Sequence, residues 1–103
     1  MDKEQSGVPA APNESKVRGR IVDIEPGPEG IGSIWKVEVN ESLDVGILPN
    51  FTRAYIGKVI SIFIHPNMKE TLKVSDWVEA RISFQGDERC GAFFLIDDDV
   101  HKL

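Results

Sequence analysis

Apolar side chains recur at every second position through most of residues 17–97, which is the period of a half-buried strand. "VRGRIVDIE" (17–25) is rich in β-branched residues and runs into "PGPEGIG". That proline- and glycine-rich stretch predicts a loop rather than a tight hairpin. "SIWKVEV" (33–39) then puts Trp35, Val37 and Val39 on one face, with Ile34, Lys36 and Glu38 on the other. "KVISIFIH" (58–65) places Ile60, Ile62 and Ile64 opposite Val59, Ser61, Phe63 and His65. "DWVEARISFQ" (76–85) sends Val78, Ala80, Ile82 and Phe84 one way, and Trp77, Glu79, Arg81 and Ser83 the other. "GDERCG" (86–91) predicts a hairpin loop and "AFFLID" (92–97) the last strand, closed by an acidic tail.

Two segments lack a period. Residues 1–16 are polar and small, bury too little to offset ordering entropy, and are expected to form a disordered tail ahead of a domain at 17–103. In residues 40–57, Asn50 is expected to cap one helical turn, "FTRAYI", ended by Gly57. That segment carries Leu43, Val45, Ile47, Leu48, Phe51 and Tyr55, so it must lie on something.

Five strands at this spacing predict an all-β fold, a small closed barrel without exposed strand edges. The layout from "VRGRIVDIE" to "VSDWVEARISFQGDERCGAFFLI" resembles the OB-fold superfamily, a five-stranded Greek-key barrel. "VSDWV" at the start of the fourth strand looks like the Val-Gly-Asp-x-Val turn of OB and related small barrels. Two features depart from that pattern. Eighteen residues (40–57) separate strands two and three, and the connection 66–76 is short for the usual helix. An SH3-like barrel therefore stays open.

Composition, 41% hydrophobic and 28% charged, is that of a globular chain. Net charge is −5, which does not advertise the basic surface of a duplex-DNA binder. A single cysteine, Cys90, excludes an internal disulfide and favours a reducing compartment. No run reaches the ~20 apolar residues of a membrane span, and a cytoplasmic location is expected. No nucleophile–base pair, metal cluster or cofactor fingerprint stands out, so neither an enzyme nor a cofactor is expected. Cys90 has no placed base. Asp97, Asp98, Asp99 and His101 read as a solubilising end rather than a cation site. "PGPEGIG" lacks the Lys and Ser/Thr of a phosphate loop. Trp35 is expected in the core and Trp77 as a barrel-end plug.

The resemblance implies ligands on the face of strands two and three. The outward candidates for single-stranded nucleic acid are Arg18, Arg20, Lys36, Phe63, His65 and Arg81, cations around an aromatic. That reading loses its basis if Phe63 is covered and the arginines pair with Glu38 and Glu79. Arg18 and Arg20 share a face with Val22 and Ile24, so a bulge is expected near Gly19.

Strands 58–65 and 92–97 are apolar on both faces, so something must cover their outer side. The simpler cover is segment 40–57 itself; the alternative is a protein partner or a homodimer. The leading expectation is a non-enzymatic binding module acting through protein contacts. Single-stranded nucleic-acid binding and a small-ligand accessory role are the other readings.

Overall fold

The computed structural model describes residues 11–66, 68, 71–86 and 91–103. Five strands form one closed barrel: β1 (Ser15–Pro26), β2 (Ser33–Asp44), β3 (Val59–Ile64), β4 (Trp77–Gly86) and β5 (Gly91–Lys102). Their order around the barrel is β1-β2-β3-β5-β4, with β4 returning to pair with β1. β4 therefore lies beside β1 after three consecutive strands, which is Greek-key connectivity. All pairings are antiparallel except β3 with β5. That parallel pair is short, Ile62 to Phe93 and Phe63 to Phe94.

The alternation along each strand decides what fills the barrel. Val17 and Ile21 of β1, Trp35, Val37 and Val39 of β2, and Ile60, Ile62 and Ile64 of β3 are buried. Val78, Ala80 and Ile82 of β4 and Phe93 and Val100 of β5 complete the core. Burying each large side chain stabilises by about 1.5–3 kcal/mol. Ile24, Met68 and Leu72 pack against this core from one barrel end. The expected bulge is present: the β1–β2 register shifts between Arg18 and Gly19, and again between Ile21 and Asp23. The second shift lets Ile24 turn toward the core although Arg18 and Arg20 face outward.

Two boundaries differ from the sequence expectation for one shared reason. β1 begins at Ser15, not Val17, and β2 continues to Asp44, not Val39. The residues added to β1 pair with residues added to β2, Ser15 to Asp44 and Lys16 to Leu43. Most residues of this ladder are polar, so no hydrophobic period announces it. Ahead of it, Asn13 is buried and bonds the backbone of Phe84 in both directions. Of the expected tail, Asn13 thus docks on β4 and Ser15 and Lys16 belong to β1, while residues 1–10 lie outside the described residues.

β5 also outruns its predicted end at Asp97. The acidic stretch lies inside the strand, where Asp97 and Asp98 adopt left-handed φ of 52° and 53°. This bulge lets Val100 return to the core opposite Ala80. Among the described residues no helix joins β3 to β4. The "VSDW" corner is a turn with Ser75 at φ 84°, a left-handed conformation that glycine tolerates better. It is fastened by Ile21, whose N–H donates to the Asp76 carbonyl (2.9 Å) and whose carbonyl accepts from Ser75 (2.7 Å). The Lys73 N–H, and then the charge of Lys102, hold the Asp76 carboxyl below the usual carboxylate range. Trp35 is buried as expected, but Trp77 is 46% exposed on the outside of β4 and plugs nothing.

Candidate functional site

Arg18, Arg20 and Arg81 share the outward face of β1 and β4, where carboxylates alternate with them. The Arg18 Nε–H donates to Glu79 (2.7 Å) and its Nη1 to Glu41 (3.2 Å). The hydrogen bond and charge of Glu79 raise the Arg18 pKa further. Arg20 lies 3.8 Å from Glu38. Arg81 sits among Asp97 (3.0 Å), Glu14 (3.4 Å) and Asp99 (3.6 Å). The face is a ladder of opposite charges, and each arginine already has its anion.

The other predicted residues lie elsewhere. Lys36 is half-buried on β2, in register with Asp23 and Ser61. Phe63 is half-buried on β3 and packs on Phe94, ring centres 5.5 Å apart. His65 is exposed just past the end of β3, beside a cavity walled by Trp35, Pro66 and Leu72. The six therefore form no single cationic path. Asp99 lies 3.6 Å from Arg81 Nε and 3.0 Å from His101 Nε2. Among the described residues no cluster of His, Cys, Asp or Glu is arranged to hold a metal ion. Cys90 and the tip of its hairpin, 87–90, lie outside the described residues.

A different site appears where segment 45–57 meets the β4–β5 hairpin. Asn50 organises it. Its Oδ1 accepts from the Thr52 N–H (2.8 Å) and hydroxyl (2.7 Å), and its Nδ2 donates to Ser42 Oγ (2.9 Å). The Thr52 and Ser42 hydroxyls are 2.7 Å apart, and Thr52 is fully buried. Thr52, not Asn50, thus occupies the cap position of the one-turn 3-10 helix Arg53–Tyr55. Arg53 binds both oxygens of Asp44 at 2.6 Å. The hydrogen bond from Asn50, and then that from Arg53, hold the Asp44 carboxyl below its ordinary pKa.

This network presents Phe51 and Tyr55 to the hairpin. Phe51 lies 6.0 Å from Phe84, Phe84 5.4 Å from Phe93, and Phe93 5.7 Å from Tyr55. The last two pairs are edge-to-face, a favoured aromatic geometry. The four rings line an open groove of about 460 Å³. It continues into a second cleft of about 260 Å³ between β3 and β5, past Val59 and Ala92.

Segment 40–57 does not cover the outer face of β3: Val59 is 51% exposed and Ser61 is exposed. Its first residues are spent on β2, and its turn is tied to Ser42 and Asp44 at the end of the barrel. Its own apolar residues then add to the open surface. Ile47 is fully exposed, Ile56 is 51% exposed, and Leu48, Phe51 and Tyr55 are each more than a third exposed. Sequence reasoning missed this groove because its walls come from three separated segments. The available signal was a run without any Asp or Glu, from Val45 to Lys69, in an acidic chain.

No protein-family model matches the chain, nor does any curated protein or solved structure.

Proposed function

We propose that this chain is a non-enzymatic binding module of OB-like architecture that acts through protein contacts at the aromatic groove. The observation that carries the reading is the open row Phe51–Phe84–Phe93–Tyr55, continued by Val59 in the adjoining cleft, with Ile47 and Ile56 exposed on the same segment as Phe51 and Tyr55. Monomeric proteins rarely leave a contiguous apolar patch of that kind uncovered. Aromatic residues in desolvated pockets dominate protein–protein binding energy. The OB-like assignment is supported by the closed five-stranded Greek-key order and by the "VSDW" corner.

Electrostatics favours this reading over single-stranded nucleic acid. Phosphate contacts supply most of the affinity for nucleic acid, and they need available cations. Here Arg18, Arg20 and Arg81 face Glu79, Glu38 and Asp97, and net charge is −5. An amide-resolved NMR titration with mixed-sequence single-stranded DNA and RNA at low salt is expected to be flat. Shifts clustered on Arg18, Arg20, Lys36, Phe63 and Arg81 that shrink as salt rises would replace the proposal with nucleic-acid binding.

A further inference from the structure

We infer that the occupant of the aromatic groove is a second copy of this chain, paired about a two-fold axis. Ile47 of each copy enters the groove of the other. The inference rests on the protein-contact reading above and narrows it to one partner.

Three observations carry it. The first is shape. An isologous interface needs a patch that is complementary to itself, with projection and recess on the same surface. Ile47 is a fully exposed aliphatic side chain on the turn leading into Asn50 and Phe51, which line the groove. Ile47 precedes the first groove residue, Asn50, by three positions, so one short segment carries both a projecting side chain and a wall of the recess.

The second is area. Ile47, Leu48, Phe51, Tyr55, Ile56 and Val59 are together exposed by the equivalent of about three whole residues. At about 150–200 Å² for a large apolar residue, that is on the order of 500–600 Å² per copy. A standard interface buries about 800 Å² per partner, and its core is the apolar part. The patch supplies such a core and leaves the remainder to its rim.

The third is charge. Two copies at −5 each repel, and like charges brought face to face cost several kcal/mol. The run from Val45 to Lys69, which supplies the wall formed by segment 45–57 and β3, contains no Asp or Glu, so that wall brings no acids to a second copy. At its rim Asp44 is neutralised by Arg53. Asp97 and Asp99 of β5 lie on the Arg81 side instead.

Sedimentation velocity of the full chain over a concentration series, up to about 0.5 mM, tests the pairing. The expected result is a reversible monomer–dimer equilibrium in the micromolar range, as suits an interface at the small end of the size scale. Ile47→Arg should weaken it at least about tenfold, with far-UV circular dichroism unchanged and Tm unchanged at concentrations where both proteins are monomeric, because the residue supports nothing in the fold. A protein that stays monomeric throughout, or a dimer indifferent to Ile47→Arg, overturns the inference. A monomer joined at Tyr55 to a different protein would end self-pairing yet leave the protein-contact reading standing. A monomer that responds to single-stranded nucleic acid would end both.

Discussion

Gly19→Ala is expected to lower stability by about 3 kcal/mol or more, the upper end of what overpacking costs a core. Gly19 faces inward at the first register shift of β1 and is buried. A Cβ there would fall on the carbonyl oxygen of Glu38 and press on Cγ1 of Val37. The clash is with backbone, so no rotamer relieves it. β1 is also laddered on both sides at this point, to Val39 of β2 and Val78 of β4. Moving β1 away from one neighbour therefore strains the other. Domains of this length have a total stability near 5–15 kcal/mol, so one added methyl group should remove a large share. Urea denaturation of both proteins measures it. A Gly19→Ala variant within about 1 kcal/mol of the parent would mean the β1–β2 crossing is looser than this geometry.

Asn13→Ala is expected to cost about 2–4 kcal/mol, although sequence reading places the residue in a tail. The Asn13 Oδ1 accepts from the Phe84 N–H at 2.7 Å, and its Nδ2 donates to the Phe84 carbonyl at 2.9 Å and the Ala11 carbonyl at 2.8 Å. The side chain acts as one rung of a ladder beyond Ser15, pairing with β4 where β1 no longer does. Removing it strands a backbone donor and acceptor of Phe84, each worth about 1–3 kcal/mol when left unpaired in a buried setting. Phe84 is also a wall of the groove, so amide exchange at Phe84 should accelerate along with the loss of stability. A variant as stable as the parent, with Phe84 still protected, would remove Asn13 from the account.

The legible part of the fold was the part with an apolar period. Trp35, Val37 and Val39 on β2, and Ile60, Ile62 and Ile64 on β3, alternate cleanly and are all in the core. The bulge at Gly19 was legible for the same reason, because two arginines and Ile24 cannot share one environment. What escaped was held by polar pairing over long separations. The ladder from Ser15 to Asp44 and the Asn13–Phe84 clasp leave no periodic trace. Val100 was hidden behind three aspartates, since a bulge with left-handed Asp97 and Asp98 is not written in hydrophobicity.

The candidate site divides in the same way. Outward positions were readable from period two, and Arg18, Arg20 and Arg81 do point outward. Their neighbours across strands were not readable, and it is Glu79, Glu38 and Asp97 that determine what the arginines can bind. The groove needed Phe51, Tyr55, Phe84 and Phe93 to converge from segments that only the closed barrel brings together.

The central claim is that this groove meets protein. A photo-crosslinking residue, p-benzoylphenylalanine, placed at Tyr55 in the full chain and irradiated in the cells that make it, tests that claim most directly. A second protein carries the same probe at exposed Glu25, away from the groove. The account predicts a discrete protein adduct from position 55, with none from position 25. Equal labelling at the two positions, or an adduct that nuclease rather than protease removes, would contradict it.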